Sequence, residues 1–297
     1  MIDRLEMFIA LANERHFGRA AQVCGVTQPT LSSAIRQLED SLGVQLVWRG
    51  SRFQGLTPEG QRVLDWARRI VADTRAMKDE MRAARLGLSG RLRLGVIPTA
   101  LAMTARLTGP FCARHAGVHV AILSRSADDI LSQLEALELD AGLTYIDGGP
   151  LGRLEAVPFY RESYVLLVSA DSPTAGRASL DWADLASEPL CLLTADMQNR
   201  RIVDHHLSEA MAAAGVEGSP PRLVSNSMVT LAAHVAEGGW ASVLPARMAD
   251  LFSADPRVVA VPIAGDGPLV GLVAPRREPH TPVLAALIEA ARRWADG

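Results

Sequence analysis

Apolar and polar residues alternate along the first forty positions with the spacing of short α-helices. Apolar residues recur at helical intervals from Leu5 onward and predict an amphipathic helix over residues 3–14. A second short helix is predicted over about residues 18–24. Thr27 is placed to cap a third helix, and Gly43 is placed to end it. The chain is therefore predicted to begin with three short helices in succession.

The segment around the second and third predicted helices has the residue types that a helix-turn-helix requires. Ala21 allows the helices to cross closely, Gly25 allows a positive φ in the turn, and Leu31 can pack between the helices. After the third helix, residues 45–48 and 53–56 predict two strands joined by a tight basic loop. A helix-turn-helix followed by such a hairpin predicts a winged helix-turn-helix.

The exposed face of the predicted third helix carries short hydroxyls and an amide, which are side chains that read base edges in the major groove of DNA. Arginines of the basic loop would reach backbone phosphate or the minor groove. A small helical bundle with an exposed polar helix explains any one of these features, but not all of them in this order. The residues predicted to contact DNA are Arg19, Thr27, Gln28, Pro29, Thr30, Ser32, Ser33, Arg36, Arg49 and Arg52.

A long helix is predicted to follow the hairpin, over residues 58–88. Thr57 caps it, Pro58 suits its first turn, and Glu59 favours the positive end of the helix dipole. Apolar residues then recur at alternating intervals of four and three up to Leu88, which is a heptad pattern. A seam that extends roughly 46 Å predicts pairing with a second copy. The alternative is a helix that packs on its own domain. The residues predicted to carry dimerisation are Val63, Ala67, Ile70, Thr74, Met77 and Met81.

From Arg91 onward, strands alternate with helices, which predicts an α/β sheet structure. Two lobes are expected, lobe I over about residues 91–161 and 267–297 and lobe II over about residues 162–266. The predicted domains are a winged helix-turn-helix over residues 1–57, a linker helix over residues 58–88 and a two-lobed domain over residues 89–297.

The ends of the predicted strands carry four hydroxyls and an amide. Ligands of open α/β sheets bind at the carboxyl ends of strands, near helix N-termini. These side chains therefore predict a neutral polar site between the lobes, suited to a small anion or carboxylate. Serine and threonine are also common helix caps, so each side chain alone is equally well explained as structural. The residues predicted to bind this effector are Thr99, Ala100, Ser124, Thr144, Thr194 and Asn226.

Two other groups of reactive side chains are interpreted as structural. Residues 199–201, with the sequence Asn-Arg-Arg, share a predicted helix with His205 and His206, and adjacent histidines on a helix point about 100° apart. Solvated helix surface is therefore predicted there rather than a metal site. Cys112 on a helix and Cys191 on a strand are expected in different lobes. No catalytic residue, metal site or cofactor is predicted.

The charge of the chain is divided unevenly. The net charge of -3 is the sum of +5 in residues 1–93 and -8 in residues 94–297, and a basic N-terminal third suits a polyanionic partner. No apolar run suits a secretory signal or a membrane span. Three widely spaced cysteines favour a reducing compartment. We therefore expect a cytoplasmic protein without membrane contact.

Five runs of the N-terminal sequence closely resemble the signature of LysR-type regulators. They are His16–Ala21, Val26–Ser32, Ile35–Glu39 and Leu42–Gly43, together with Leu56–Gly60, which resembles the junction between wing and linker in that family. The resemblance is dense over residues 2–65 and architectural beyond them. Gly18 departs from the Ser or Thr cap that many members have there, which weakens the expected start of the second helix.

The resemblance implies a ligand-responsive transcription regulator that binds an interrupted palindrome as a homotetramer built from homodimers, its linkers pairing antiparallel. The implied partners are double-stranded DNA, RNA polymerase and a small-molecule effector. Thr99 lies where such sensors commonly place an effector-binding hydroxyl. A small anion or carboxylate is expected, with formate first, since the sequence is similar to regulators found beside formate dehydrogenase genes. The separation of Cys112 from Cys191 argues against the peroxide switch of one branch of the family.

Two other classes of protein remain as alternatives. An enzyme on a periplasmic-binding-protein-like scaffold would need a catalytic constellation, whereas the strand ends offer hydroxyls and amides. A solute-binding protein is opposed by the winged head and the missing signal. The expected fold is therefore an N-terminal all-α winged helix-turn-helix with a long linker helix, then a C-terminal α/β two-lobed periplasmic-binding-protein-like sensor domain.

Overall fold

The computed structural model describes residues 1–48, 53–147, 151–276 and 279–295, and it divides the chain into two compact units. The head is built mainly by Met1–Gly87, and the sensor unit mainly by Leu88–Pro279 and Val283–Gly297. Each unit has its own hydrophobic core. Among the described helices, none is long and apolar enough to cross a membrane.

Three short helices form the centre of the head, as the apolar spacing predicts. They are α1 (Ile2–Glu14), α2 (Phe17–Val23) and α3 (Gln28–Leu42). Their apolar faces meet in one core, whose fully buried members include Phe8, Leu11, Leu31, Ile35, Leu38 and Leu46.

The start of α2 is capped by a histidine side chain rather than by a serine or threonine hydroxyl. His16 precedes the helix in an extended conformation, and its Nδ1 accepts hydrogen bonds from the amides of Gly18 and Arg19 at 3.1 and 3.2 Å. An imidazole nitrogen thus takes the place of a hydroxyl cap. The first amides of α2 therefore have an acceptor even though position 18 is a glycine.

The predicted hairpin after α3 is shorter than expected. Its described part pairs through one antiparallel bridge, Val47 with Leu56, rather than through two full strands. The carboxylate of Glu39 accepts the amide of Leu46 at 2.8 Å and that of Val47 at 3.2 Å, so a side chain replaces strand partners there. The wing loop, which holds Arg49 and Arg52, lies outside the described residues.

The linker helix α4 (Pro58–Leu86) begins where predicted, and Thr57 caps it by accepting the amide of Gly60 at 2.9 Å. Gly60 is required by close packing, because a Cβ there would lie 2.0 Å from the carbonyl oxygen of Leu46. The first half of α4 packs on the head, with Leu64 and Val71 buried in the head core.

The predicted dimerisation seam is wrong at one position. Ala67 is completely buried in the core of its own head, so it cannot contact a second copy. Val63 also packs partly against that core. Among the side chains of α4 that the structure describes, the large apolar ones that remain exposed are Trp66, Ile70, Met77 and Met81. One face of α4 therefore packs on its own domain, as in the alternative interpretation of the sequence. Another face is exposed to solvent and is available for the predicted pairing with a second copy.

The sensor unit contains two lobes, each built on β-strands flanked by helices. The strands are β1 (Ser89–Val96), β2 (Gly117–Ser124), β3 (Ala141–Tyr145), β4 (Leu154–Arg161), β5 (Tyr164–Ser169), β6 (Cys191–Leu193), β7 (Leu223–Ser225), β8 (Ala241–Pro245), β9 (Val258–Pro262) and β10 (Leu269–Pro275). The helices are α5 (Leu101–Arg114), α6 (Ala127–Glu135), α7 (Gln198–Ala214), α8 (Met228–Ala236), α9 (Ala246–Ala249) and α10 (Pro282–Ala295).

Lobe I holds a five-stranded sheet in the order β2-β1-β3-β10-β4, in which β1 pairs in parallel with β2 and β3 while β10 runs antiparallel to both neighbours. Lobe II holds a three-stranded sheet in the order β8-β5-β9 and the parallel pair β6-β7. The chain crosses between the lobes after β4 and before β10, so the residues between β4 and β5 lie at the hinge. The predicted two-lobed α/β fold class is confirmed.

Candidate functional site

The polar face of α3 is the face of the head that the sequence predicts to contact DNA. Thr27 caps the helix, and its hydroxyl also bonds that of Thr30 at 2.8 Å. Gln28, Ser33 and Arg36 are exposed on the same helix, opposite its buried stripe. Pro29 is also exposed, whereas Ser32 is half-buried. The helix therefore offers an amide, a hydroxyl and a guanidinium to solvent.

Arg19, which precedes the recognition helix, is tied to its own head. Its Nε lies 3.2 Å from the carboxylate of Glu14, and its Nη2 donates to the carbonyl oxygen of Glu14 at 2.6 Å. The guanidinium is still largely exposed. A phosphate contact by Arg19 would therefore use its outward-facing nitrogen or exchange its partner.

A small cavity lies between the lobes of the sensor unit, with room for about one water molecule. It is bounded by the turn that leads into α5 and by the N-terminal ends of α6 and α7. Among the described residues, no charged side chain lines it. The lining residues are Ile97, Pro98, Thr99, Ser126, Ala127, Tyr145, Leu193, Met197, Gln198 and Asn199.

A buried hydrogen-bond network stands behind the cavity. The hydroxyls of Thr99 and Tyr145 are 2.9 Å apart, and Tyr145 also lies 3.1 Å from Oε2 of Glu162. The amide nitrogen of Asn199 donates to the hydroxyls of Tyr145 at 3.1 Å and Tyr164 at 3.0 Å. Because Tyr145 belongs to lobe I while Asn199 and Tyr164 belong to lobe II, the network joins the lobes across the cavity.

Glu162 is the buried acid of this network, and it lies at the hinge between β4 and β5. It is 3% exposed, and burial raises the pKa of its carboxyl from 4.5 to about 8 even though hydroxyl partners oppose the shift. Burial and the nearby Glu162 also raise the pKa values of Tyr145, Tyr160 and Tyr164, which stay protonated. The site can therefore hold a neutral carboxylic acid near neutral pH.

Of the six predicted effector residues, the structure places only Thr99 at the cavity. The side chain of Ala100 is fully buried in the lobe I core, and its amide donates to the carbonyl oxygen of Ile97. Ser124 is exposed, and Ser126 lines the cavity in its place. Asn226 is exposed and lies away from the cavity. The structure does not place these three residues at the cavity.

Thr144 and Thr194 also lie outside the lining of the cavity, for a different reason. Both hydroxyls are buried without a hydrogen-bond partner among the described residues, and neither lines the cavity. Successive residues of a strand point to opposite faces, so Thr144 points away while its neighbour Tyr145 faces the cavity. Thr194 follows β6, whose last residue, Leu193, is the one that reaches the lining.

The prediction of a solvated face at the start of α7 is wrong for Asn199 and Arg200, whereas Arg201 and His205 are exposed as predicted. Asn199 is 5% exposed and lines the cavity. Arg200 is largely buried and donates to the carbonyl oxygen of Leu193 and to Asp204. His206 stacks on Trp182 at 4.7 Å, which leaves His205 as the exposed member of the pair. Helical spacing could have found the cavity face, because Asn199, Val203 and Leu207 form one buried stripe.

An exposed ion pair links α6 and α7, two helices whose N-terminal residues line the cavity. Nη2 of Arg201 on α7 lies 3.4 Å from Oδ2 of Asp128 on α6, and both side chains are largely exposed. We name this pair the clasp. It joins lobe II to lobe I, and Asp128 directly follows Ala127, which lines the cavity.

Comparisons with known proteins agree over the whole chain. Residues 2–61 match the family described as bacterial regulatory helix-turn-helix protein, lysR family, and residues 85–296 match the LysR substrate binding domain. The DNA-binding transcriptional dual regulator OxyR of Escherichia coli is 31% identical over 307 positions, covering 100% of this chain and 96% of its own. The SDS degradation transcriptional activation protein of a Pseudomonas strain is 34% identical, with 82% and 78% covered.

Solved structures agree with these matches. A full-length OxyR variant from Pseudomonas aeruginosa superposes with a TM-score of 0.77 at 26% identity, covering 98% of this chain and 94% of that one. CbnR in complex with its target DNA has a TM-score of 0.67 at 25% identity, with 99% of both chains covered. These relatives are transcription regulators and not enzymes.

Proposed function

The chain belongs to the LysR family and is a DNA-binding transcription regulator with an effector-binding domain, and on that premise we propose that a small anion between the lobes controls it. Operator binding would use α3 on an interrupted palindrome. Closure of the lobes around the anion would change the angle between paired heads, and hence DNA bending and contact with RNA polymerase.

The cavity is the observation that carries the choice of effector. It is small, lined by hydroxyls and amides, and placed at the N-terminal ends of α6 and α7. Met197, which precedes α7, offers no side-chain cap, so amides of the first turn keep their capacity to donate to an anion. The size of the cavity supports a very small ligand, for which formate is the first candidate.

Assembly is proposed to use the exposed apolar face of α4, formed by Trp66, Ile70, Met77 and Met81. Exposed apolar side chains in one stripe over four helical turns favour burial against a second copy. The heads would then pair as homodimers, and two dimers would form the homotetramer expected from the sequence.

A peroxide response is the second candidate, because relatives of this chain from Escherichia coli are named hydrogen peroxide-inducible genes activators. Oxidation of cysteine by peroxide proceeds through the thiolate. Cys191 is completely buried, and burial raises the pKa of its thiol to about 11. Cys112 packs on the core of lobe I, whereas Cys191 packs in lobe II. These environments favour the anion over a thiol switch.

The test uses two measurements on the full chain. Gel retardation with DNA from upstream of its own gene should show a specific complex that random DNA of equal length does not compete away. A thermal-shift screen of sodium formate, acetate, nitrate and phosphate, with hydrogen peroxide as a separate arm, should show stabilisation by one of the anions. A ligand at 100 times its Kd adds about 2.7 kcal/mol. A response to peroxide alone would reject the anion.

A further inference from the structure

The hydroxyl of Tyr145 stands between the buried acid Glu162 and the cavity residue Thr99. It has one proton to donate and two lone pairs that accept. Three neighbours compete for these positions: the amide nitrogen of Asn199 at 3.1 Å, Oε2 of Glu162 at 3.1 Å and the hydroxyl of Thr99 at 2.9 Å. The hydrogen bonds of this one hydroxyl can therefore be counted in full.

Asn199 fixes the first of these bonds. Its amide nitrogen has two protons, and they are donated to Tyr145 and Tyr164. One lone pair of Tyr145 is thereby filled. One proton and one lone pair remain, to be shared between Glu162 on one side and Thr99 on the other. Whichever neighbour receives the proton of Tyr145, the other neighbour must donate to it.

When Glu162 is ionised, its oxygens only accept. Tyr145 then donates to Oε2 of Glu162, and the Thr99 hydroxyl donates its proton inward to Tyr145. In that state Thr99 offers only lone pairs to the cavity.

When Glu162 is protonated, its hydroxyl can donate to Tyr145, while Oε1 still accepts from Tyr160 at 3.4 Å. Tyr145 then donates to Thr99, and the proton of Thr99 is released to point into the cavity. The two protonation states of Glu162 thus present opposite hydrogen-bonding groups to a ligand.

We propose that Glu162, acting through the hydroxyl of Tyr145, sets the direction of the Thr99 proton and so makes the cavity select an effector that accepts a hydrogen bond there. Glu162 and Tyr145 are positioning residues, since Thr99 makes the contact. The proposal rests on the proposed anion effector. When an anion binds to the ionised state, Glu162 takes up one proton from solvent, so one negative charge rather than two is enclosed.

The surroundings of Glu162 agree with a proton held near neutral pH. Burial raises its pKa to about 8, and Asp147 adds to the rise, while the hydroxyls of Tyr145, Tyr160 and Thr99 oppose it. Tyr164 faces the same pocket from β5. Arg247 stacks on the ring of Tyr160, and Arg161 donates to the carbonyl oxygen of Gly267, so both of these cations have other partners. Among the described residues, no basic side chain forms an ion pair with Glu162.

The experiment is calorimetric titration of the full chain with sodium formate, acetate, nitrate and phosphate from pH 6.5 to pH 9.5, in buffers of different ionisation enthalpy. For an anion that binds, affinity should fall about tenfold between pH 7 and pH 9, with uptake of about one proton at the upper end. Glu162→Gln donates to Tyr145 as the protonated acid does. It should keep the affinity of the parent at pH 7 and hold it at pH 9.

Two further variants distinguish an effect transmitted through the hydroxyl of Tyr145 from a simple effect of the charge on Glu162. Tyr145→Phe removes the hydroxyl that links Glu162 to Thr99 but keeps the acid, so the steep loss of anion affinity with rising pH should disappear. Glu188→Gln removes a carboxyl that bonds Thr174 in lobe II, and it should behave as the parent. If Tyr145→Phe loses anion affinity with rising pH as the parent does, Glu162 acts by its charge or directly on Thr99, and the proposal is overturned.

Infrared spectroscopy tests the acid without any variant of Tyr145. The parent at pH 7 should show a protonated carboxyl band that titrates away by pH 9.5 and that Glu162→Gln lacks. Absence of the band at pH 7 would overturn the proposal. Binding that does not change with pH would overturn the proposal alone, whereas no binding by any of the four anions would reject the effector class and the proposal with it.

Discussion

The head and the sensor unit place their functional side chains in opposite environments. On α3 the predicted DNA contacts Gln28 and Arg36 are exposed, whereas Thr99, Tyr145 and Asn199 around the cavity are at most 5% exposed. A surface that meets a polyanion gains from groups already in solvent, while a small ligand must be enclosed to make enough contacts. Exposure of polar side chains therefore marks the predicted DNA-binding surface, whereas burial of polar side chains marks the predicted ligand site.

The largest expected effect is at the one seam position that the head buries. Ala67→Glu places a charge in a closed apolar core without a partner, and we expect a loss of about 3–5 kcal/mol of unfolding free energy. Ile70→Glu puts the same charge on the exposed face of α4 and should leave the head folded. Denaturant unfolding followed by circular dichroism measures both.

The same pair of variants tests assembly. Ile70→Glu should lower the sedimentation mass of the chain, because the charge would be enclosed between paired linkers. If Ile70→Glu sediments as the parent does, the exposed face of α4 is not the dimer contact.

The second prediction concerns the buried acid of the sensor unit. The pKa of Glu162 is raised from 4.5 to about 8, so between these values the native state holds a proton that the unfolded chain releases. Its contribution is complete below pH 4.5 and is lost as the pH rises to about 8, at up to about 1.4 kcal/mol per pH unit.

Glu162→Gln should remove this slope from thermal unfolding measured across pH 5 to pH 8. Glu188→Gln, in the same lobe, should retain it. Parallel curves for the parent and Glu162→Gln would show that the acid has its ordinary pKa.

Much of the fold and of the recognition face could be predicted because each depends on one periodic segment. The stripe of Leu31, Ile35 and Leu38 determines which side of α3 is exposed, and the caps at Thr27 and Thr57 determine where two helices begin. The family signature over the head leads to the same assignment.

The cavity could not be predicted in this way, because its residues come from separate segments. An error of one residue along β3 exchanges Tyr145 for Thr144, since the strand alternates faces. Glu162 lies in the crossing between lobes, where no periodic pattern distinguishes a buried acid from a solvated one. Only Thr99, at the end of β1, stood in a recognisable position.

The third prediction tests Thr99, the one predicted effector residue that lines the cavity. Thr99→Val removes the hydroxyl and keeps the shape, and anion affinity should fall by about 1–3 kcal/mol, or roughly ten- to a hundredfold. Operator binding without effector should survive. Thr104→Val is a matched control, because its hydroxyl is equally buried but bonds the carbonyl oxygen of Ala100. Calorimetric titration compares the two, and equal losses would make Thr99 structural.

The fourth prediction addresses the exposed site. Gln28→Ala should cost about 1–3 kcal/mol at a single base position and leave binding to random DNA unchanged. Gln22→Ala changes another exposed amide, on α2, and should have no effect on the operator. Gel retardation with operators substituted one base pair at a time identifies the position. A uniform loss over every operator would assign Gln28 to the backbone instead.

The smallest effect is expected at the clasp. Comparing it with Asn199 contrasts an exposed and a buried link between the lobes of the sensor unit. Asp128→Asn breaks an exposed ion pair, and such pairs contribute little, so we expect about 0.5 kcal/mol or less. The effect should vanish in high salt, where exposed charges are screened.

Asn199→Leu removes a buried bridge between the lobes and should cost about 1–3 kcal/mol at any salt concentration. Asp171→Asn, an exposed acid away from the cavity, controls for the change in net charge. Thermal unfolding at two salt concentrations measures all three variants. If Asp128→Asn costs as much as Asn199→Leu, burial is not what holds the lobes together, and the clasp rather than the hydroxyl network governs closure.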